Sequence, residues 1–557
     1  MQKLFLGLLF IGNWSFLIGQ TVFEEVTQQS GIHHHFEVYE GLFGGGGCAA
    51  DFNNDGWEDL YIAGGLYPDR LYINQKDGTF QDMLISSGMG ITSKYVTQGA
   101  ISADFNKDGW VDIFITTITR ADTILIIPRA INLLFINNGD GTFRESTREF
   151  GLNDDEAFST SAHVGDVNAD GFPDIYLGNY FYNYDGKLDT IYDNDIVNAN
   201  NEAEDYLYIN QNGLKFERQD QNYGIDHTGF GFGGVFTDAD NDGDLDIMVM
   251  NDFGYKAPPN LFYTNEYPKK KFTDKAEALG LDLKINSMGI AIGDITGDGY
   301  MDYFFTNIRG NYLMVRRENG YEDIADELKL KFFNISWGAN FSDFDNDGDL
   351  DLFTSNGDLN PNCTPMYNHY YENTEGKFTE KARLVGLADY GIGRGSIVFD
   401  KDNDGDLDLL VINHQPILSY PESINSVTQL YENKSKNDHH WMKIQLKGVK
   451  GTSRGLGAKI ILHTSKGKLI REIDGGSSFI SQSSSWAHFG LGDIDSINYV
   501  EVVWPGNRIQ RVEQVSIDTN LVIKEEIQST PKYWNRIGYV IIFVLFLGIF
   551  FIFKKKK

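Results

Sequence analysis

The 557-residue chain predicts an all-β fold, a seven-bladed β-propeller followed by a small β-sandwich-like domain and one C-terminal transmembrane helix. Three observations carry that prediction. A nine-residue acidic phrase, D-x-[DNT]-x-D-G-x-x-D, recurs seven times between Asp51 and Asp408, its starts 53, 62, 72, 56, 49 and 57 residues apart, the period of propeller blades rather than of helical solenoids. Each copy runs into a short apolar segment, such as Asp246-Ile-Met-Val-Met250 or Asp408-Leu-Leu-Val-Ile412, as a strand buried on both faces does. Near the other end, residues 537–553 carry no charge and are followed by Lys554 to Lys557, the pattern of a short membrane span with its basic side inside.

In chain order, residues 1–20 read as a signal peptide, with Lys3, an apolar stretch to Ile18 and Gly19 near the end. No Cys follows the expected cleavage point, so lipidation is not indicated. Residues 21–437 make up the propeller. Each unit has a Gly-rich apolar strand, the acidic loop, an apolar second strand, a third strand ending in Asn (Asn74, Asn138, Asn210, Asn373, Asn433), and a Gly turn into a fourth strand. Fourth strands start at Phe80, Phe143, Phe216, Phe272, Tyr321 and Phe378, one fewer than the loops. The unclaimed phrase Phe23-Glu-Glu-Val-Thr27 matches that strand, so the N-terminus is expected to complete the seventh blade, locking the ring and removing open sheet edges. Residues 438–526 form the small β domain, 527–536 a linker, 537–553 the transmembrane helix and 554–557 a cytoplasmic basic tail.

The loops have the chemistry of Ca²⁺ sites. A hard cation takes six to eight oxygens, and alternate acidic residues on a tight loop supply them, with Gly where the backbone turns sharply. Side chains at positions 1, 3, 5 and 9 and the carbonyl at position 7 are the expected ligands. They are Asp51, Asn53, Asp55, Asp59 and Trp57 in the first loop; Asp104, Asn106, Asp108, Asp112 and Trp110 in the second; and Asp166, Asn168, Asp170, Asp174 and Phe172 in the third. The fourth has Asp238, Asp240, Asp242, Asp246 and Asp244; the fifth, the weakest copy, has Asp294, Thr296, Asp298, Asp302 and Tyr300. The sixth has Asp343, Asp345, Asp347, Asp351 and Asp349, and the seventh Asp400, Asp402, Asp404, Asp408 and Asp406. An EF-hand would need a chelating Glu at position 12, where this chain has Ile62, Ile115, Leu177, Val249, Phe305, Thr354 and Val411. About seven Ca²⁺ are therefore expected, since 24 carboxylates at ligand positions would otherwise repel one another.

In a four-stranded antiparallel blade the acidic loops and the Gly-Thr-Phe turns share one face. The long insertions 178–205 (with Tyr180, Tyr182, Tyr184 and Tyr192), 355–369 and 413–428, with His33 to His35, fall on the other, which makes that face the expected recognition surface. Formal charge is −32, and seven Ca²⁺ would leave about −18, which excludes a nucleic-acid partner. Three consecutive His on a strand cannot all converge on one ion. Ser481, Ser483, Ser484, Ser485 and His488 lack the G-x-S-x-G frame of a nucleophile elbow, and no catalytic residue is assigned. Cys48 and Cys363 fall in non-neighbouring units, so no disulfide is predicted.

Over residues 23–433 the repeat resembles the FG-GAP or VCBS repeat of integrin α-like propellers. Beyond it, Gly455-Leu-Gly-Ala-Lys459, His488-Phe-Gly-Leu-Gly492 and Val503-Trp-Pro-Gly506 resemble the ASPIC/UnbV domain. The combination, with Ser336-Trp-Gly-Ala339 and Gly393-Arg-Gly395, is similar to the cartilage acidic protein family, which implies a secreted Ca²⁺-binding propeller and lends no catalytic residues. Two functions are open at this stage. One is a membrane-anchored binding, adhesion or scaffold module for a protein or glycan, with its large domain outside the cytoplasm, periplasmic or at the cell surface if bacterial. The other is a polysaccharide lyase or hydrolase with its site at the propeller mouth.

Overall fold

The computed structural model describes residues 21–38, 43–118, 131–152, 158–181, 202–359, 364–415 and 426–527. The expected signal peptide, transmembrane helix and basic tail, most of the long insertions, and Cys363 lie outside them. Among the described residues no helix is long and apolar enough to cross a membrane.

Seven four-stranded antiparallel sheets follow one another along the chain. Blade 1 runs from Gly47–Ala50 to Phe80–Asp82, and blade 2 from Val96–Ala103 to Phe143–Glu145. Blades 3, 4, 5 and 6 start at Ser159–Gly165, Gly231–Thr237, Ile290–Gly293 and Ser336–Ser342. Blade 7 takes three strands from Gly393–Phe399, Asp408–Asn413 and Gln429–Asn433, and its fourth from Phe23–Glu25, with Phe23 opposite Asn433 and Glu25 opposite Tyr431. The ring is thus closed by the N-terminal strand. Packing between blades is apolar: Phe23, for example, sits edge-on to Phe344 and Tyr370 of blade 6.

The C-terminal domain has two sheets. In one, His440–Lys447 lies between Ala487–Gly492 and a parallel partner, Thr519–Lys524; the other orders Lys468–Glu472, Lys459–Thr464, Ile497–Trp504 and Arg508–Glu513. Its core residues, among them Ile444, Leu462, Phe489 and Trp504, belong to the same apolar cluster as Ile101, Phe105 and Val164 of blades 2 and 3. The domain therefore sits on the propeller rather than beside it, on the face that carries the acidic loops. A Cβ on Gly405, in the seventh loop, would lie 1.9 Å from the Trp441 ring, and one on Gly171, in the third, 1.9 Å from the Lys450 carbonyl.

From this domain residues 475–484 thread the central channel and touch all seven blades. Gly475 O accepts the Val164 N–H of blade 3, and Ser478 exchanges two backbone bonds with Ile290 of blade 5. Gln482 pairs with Gly47 and Ala49 of blade 1, while its Oε1 accepts the Ser102 N–H of blade 2 at 2.6 Å. Ser484 N–H donates to Val398 O of blade 7. Phe479 packs against Phe232 of blade 4 and Trp337 of blade 6, with ring centroids 5.7 and 4.9 Å apart. Inner-strand N–H and C=O groups of blades 1, 3, 5 and 7, and the Ser102 N–H of blade 2, face the channel, and the segment supplies the bonds that buried backbone requires. Around Phe479 and Ile480, Phe43, Phe158, Tyr180, Phe230 and Phe253 fill the channel toward the opposite face.

Candidate metal centres

Each acidic loop turns at two residues. Position 4 (Asn54, Lys107, Ala169, Asn241, Gly297, Asn346, Asn403) and the Gly at position 6 all have positive φ, between 54° and 105°, where Asn and Gly carry the least strain. That double turn brings the side chains at positions 1 and 3 onto the backbone of position 5, as where Asp51 Oδ1 and Asn53 Oδ1 both accept the Asp55 N–H. The Asp at position 9 is fully buried in every loop: Asp59, Asp112, Asp174, Asp246, Asp302, Asp351 and Asp408. Its two oxygens accept one N–H from position 2 of its own loop and one from the end of the third strand, as Asp59 does from Phe52 (3.0 Å) and Asn74 (2.8 Å).

The third-strand Asn has a further role that its position in the sequence did not reveal. Asn74 Nδ2 donates to Lys401 O of blade 7, Asn137 to Phe52 O of blade 1, Asn210 to Phe105 O of blade 2, Asn265 to Val167 O of blade 3, and Asn433 to Phe344 O of blade 6, at 2.7 to 2.9 Å. Each ties its blade to position 2 of the preceding loop. In blade 2 the residue is Asn137, one before the Asn138 expected from the sequence. Blade 5 has Arg316 at this place, bonding Asp302 through its backbone N–H alone.

The loops divide into two groups at position 1. In loops 1, 2, 3 and 5, one oxygen of Asp51, Asp104, Asp166 or Asp294 accepts the N–H of position 5, at 2.9 to 3.1 Å. In loops 4, 6 and 7, which have Asp at position 3, Asp238 Oδ1, Asp343 Oδ1 and Asp400 Oδ1 are buried without any hydrogen-bond partner. In these same three loops carboxylates converge to within 4.8 Å: Asp238, Asp240 and Asp242; Asp343, Asp345 and Asp347; Asp400, Asp402 and Asp408. A buried carboxylate oxygen left unpaired beside two others is costly unless a cation fills the gap. The donor set, all hard oxygens on a small loop, fits Ca²⁺. Burial, reinforced by the neighbouring carboxylates, pushes the carboxyls of Asp166, Asp345 and Asp404 up to about 7, and holds Asp246, Asp343 and Asp408 well above the usual carboxylate range.

The C-terminal domain brings cations and donors to this face. Lys443 Nζ reaches Asp400 Oδ2, Lys459 Nζ reaches Asp238 Oδ2, Ser453 Oγ donates to Asp104 Oδ2 at 2.6 Å, and Arg454 Nη2 donates to Asn54 Oδ1 at 3.1 Å.

On the other face the histidines diverge. His33 is exposed, His34 Nδ1 bonds Thr428 Oγ1 at 2.7 Å, and His35 packs on Tyr67. Tyr180, expected from the sequence on the recognition face, is fully buried, and its hydroxyl donates to Asp252 at 2.7 Å within the aromatic cluster at the channel end. Ser481 Oγ donates to Phe479 O and His488 Nε2 to Gly405 O, so neither is arranged for nucleophilic chemistry.

A closed repeat propeller whose acidic loops lie under a second β domain defines a binding or scaffold module. The FG-GAP-like repeat model matches residues 51–115, 104–177, 294–354 and 343–411, and the ASPIC and UnbV model matches 448–530, so the chain carries FG-GAP-like repeats followed by an ASPIC/UnbV domain. Among curated proteins it is similar to cartilage acidic protein 1 of Xenopus tropicalis, 30% identical over 273 residues covering 47% of this chain and 40% of that one. The Homo sapiens protein is 29% identical over 297 residues, 50% of this chain and 41% of its own. The chain thus spans about two fifths of the length of the curated relatives it matches. Among solved structures, an Agrocybe aegerita lectin recognising non-reducing terminal N-acetylglucosamine is 16% identical with a TM-score of 0.39, covering 68% of this chain and 90% of that one. BBS1N in complex with ARL6DN is 9% identical with a TM-score of 0.40, over 72% and 95%.

Proposed function

We propose that the chain is an exported, membrane-anchored, calcium-stabilised module that recognises a protein or a glycan with the face opposite its acidic loops. The observation that carries this reading is the placement of the C-terminal domain. It covers the loop face and fills the channel, which leaves the opposite face, where the insertions leave and rejoin the blades, for a ligand. Asp238, Asp240, Asp242, Asp343, Asp345, Asp347, Asp400, Asp402 and Asp408 would hold Ca²⁺ first, with the remaining loop residues named above completing the set. The ion supplies positive charge to crowded carboxylates and stiffens the loops. The protein's own residues close each loop, join neighbouring blades and seat the C-terminal domain. The anchor rests on the apolar run 537–553 and the four lysines after it.

The test uses the exported portion, residues 21–527. Elemental analysis should find Ca²⁺, and EGTA should lower the melting temperature in calorimetry. An unchanged melting temperature with no metal present would overturn the reading. For the ligand face, replacing residues 183–202 by a short Gly-Ser linker should abolish binding to a glycan or protein panel while Ca²⁺ content and melting temperature stay near the parent's. Retained binding would move recognition to the C-terminal domain.

A further inference from the structure

Charge count alone ranks loops 4, 6 and 7 together, since each has four carboxylates at ligand positions. The C-terminal domain separates them. Lys459 Nζ lies 3.1 Å from Asp238 Oδ2 and donates to Asn241 Oδ1, positions 1 and 4 of loop 4. Lys443 Nζ lies 2.7 Å from Asp400 Oδ2 and 3.1 Å from Asn403 Oδ1, the same two positions of loop 7. Both lysines are buried, at 4% and 1% exposure, so neither ammonium is free to swing into water when an ion arrives. In both loops the other oxygen of the position 1 carboxylate is the orphaned one. Loop 6 has the same orphan on Asp343, yet among the described residues none of its carboxylates forms an ion pair, and Arg471 acts on Asp343 only at longer range.

We propose that Lys443 and Lys459 set the calcium affinity of loops 7 and 4, weakening the ion there and holding the loops in shape without it, so that loop 6 is the tight site and loops 4 and 7 the exchangeable ones. This rests on the reading of the acidic loops as calcium sites. The position 1 carboxylate in loops 4 and 7 is shared between two cations. It neutralises less of the ion's charge, and the fixed ammonium repels the ion across it. The same ammonium compensates the carboxylate when the ion is gone, which the empty loop 6 lacks. Seating of the C-terminal domain, which delivers both lysines, is thereby coupled to the exchange of two ions.

The experiment is calorimetric titration of calcium into the EGTA-treated, dialysed exported portion, for the parent, Lys443→Met, Lys459→Met, the double variant, Lys443→Arg, and Lys466→Met at an exposed position as control. Each single methionine variant should tighten one weak site roughly tenfold or more and the double variant both, while their calcium-free melting temperature falls. Lys443→Arg and Lys466→Met should keep the parent's affinities. A parent that binds no calcium overturns the underlying reading; calcium binding that the methionine variants leave unchanged overturns this proposal alone. Should those variants fail to fold without calcium, aspartate substitutions in the parent decide. Asp345→Asn must then remove the tightest ion, and Asp240→Asn and Asp402→Asn weaker ones; the opposite order overturns the proposal.

Discussion

Replacing Phe479 by Ala should weaken the whole molecule, although this residue belongs to the small domain. The ring is fully buried in the channel, 4.9 Å from Trp337 and 5.7 Å from Phe232, on blades that do not adjoin each other in the ring. Removing a fully buried Phe side chain costs about 3–5 kcal/mol in lost transfer energy and residual cavity. The upper half of that range applies here, since seven inner strands and the backbone bonds of Ser478 and Gln482 fix the walls and limit collapse. Urea unfolding of residues 21–527 in calcium, followed by tryptophan fluorescence, reads the effect, because Trp337 lies in the propeller and Trp504 in the core of the C-terminal domain. One cooperative transition should move to lower urea. A loss below about 1 kcal/mol, or separate melting of the small domain with the propeller unchanged, would refute the reasoning that the threaded segment is part of the propeller's core.

Two further outcomes are expected. Asn265→Ala removes bonds from Nδ2 to Val167 O and Leu245 O, at 2.9 and 3.2 Å, and should cost about 2–3 kcal/mol in urea unfolding; Arg316→Ala at the corresponding place in blade 5 loses only ring contacts with Tyr300 and Tyr321 and should cost under about 1 kcal/mol. Equal costs would show that the Asn ties do not join the blades. In EGTA, stability should rise as pH falls from about 7 toward about 4, because carboxyls held near 7 by burial (Asp166, Asp302, Asp404) bind protons more tightly folded than unfolded. In calcium the same acidification should lower stability, since protons then compete with the ion. Melting temperatures at pH 5 and 8 with and without EGTA check this, and slopes of the same sign would refute it.

The repeat and its closure were legible in the sequence because they are local. Position 6 of the loop must accept positive φ, so Gly recurs there seven times, and strand 2 is buried on both faces, so its apolar run follows at once. Counting fourth strands sufficed to place Phe23–Glu25 in blade 7, since a strand phrase without a blade and a blade without a strand leave one solution. The acidic clusters that could hold a metal were legible for the same reason, as alternation of carboxylates on one tight turn is a property of nine consecutive residues.

The relation between the two domains was not legible, although the chain contained a trace of it. Glycines in or just before the first strands, Gly46 and Gly99 among them, read as strand composition, yet a Cβ on either would lie within 2.4 Å of Ile480 O. They are small because another segment passes through the channel. Nothing near residue 46 names residue 480, so only the folded chain could pair them. The same holds for Lys443 and Lys459, ordinary strand residues in sequence, whose burial against Asp400 and Asp238 depends on how a separate domain lands on the ring. Local backbone geometry is written in short stretches of sequence, whereas charge compensation and cavity filling depend on surfaces assembled from residues hundreds of positions apart, and the tertiary structure alone decides them.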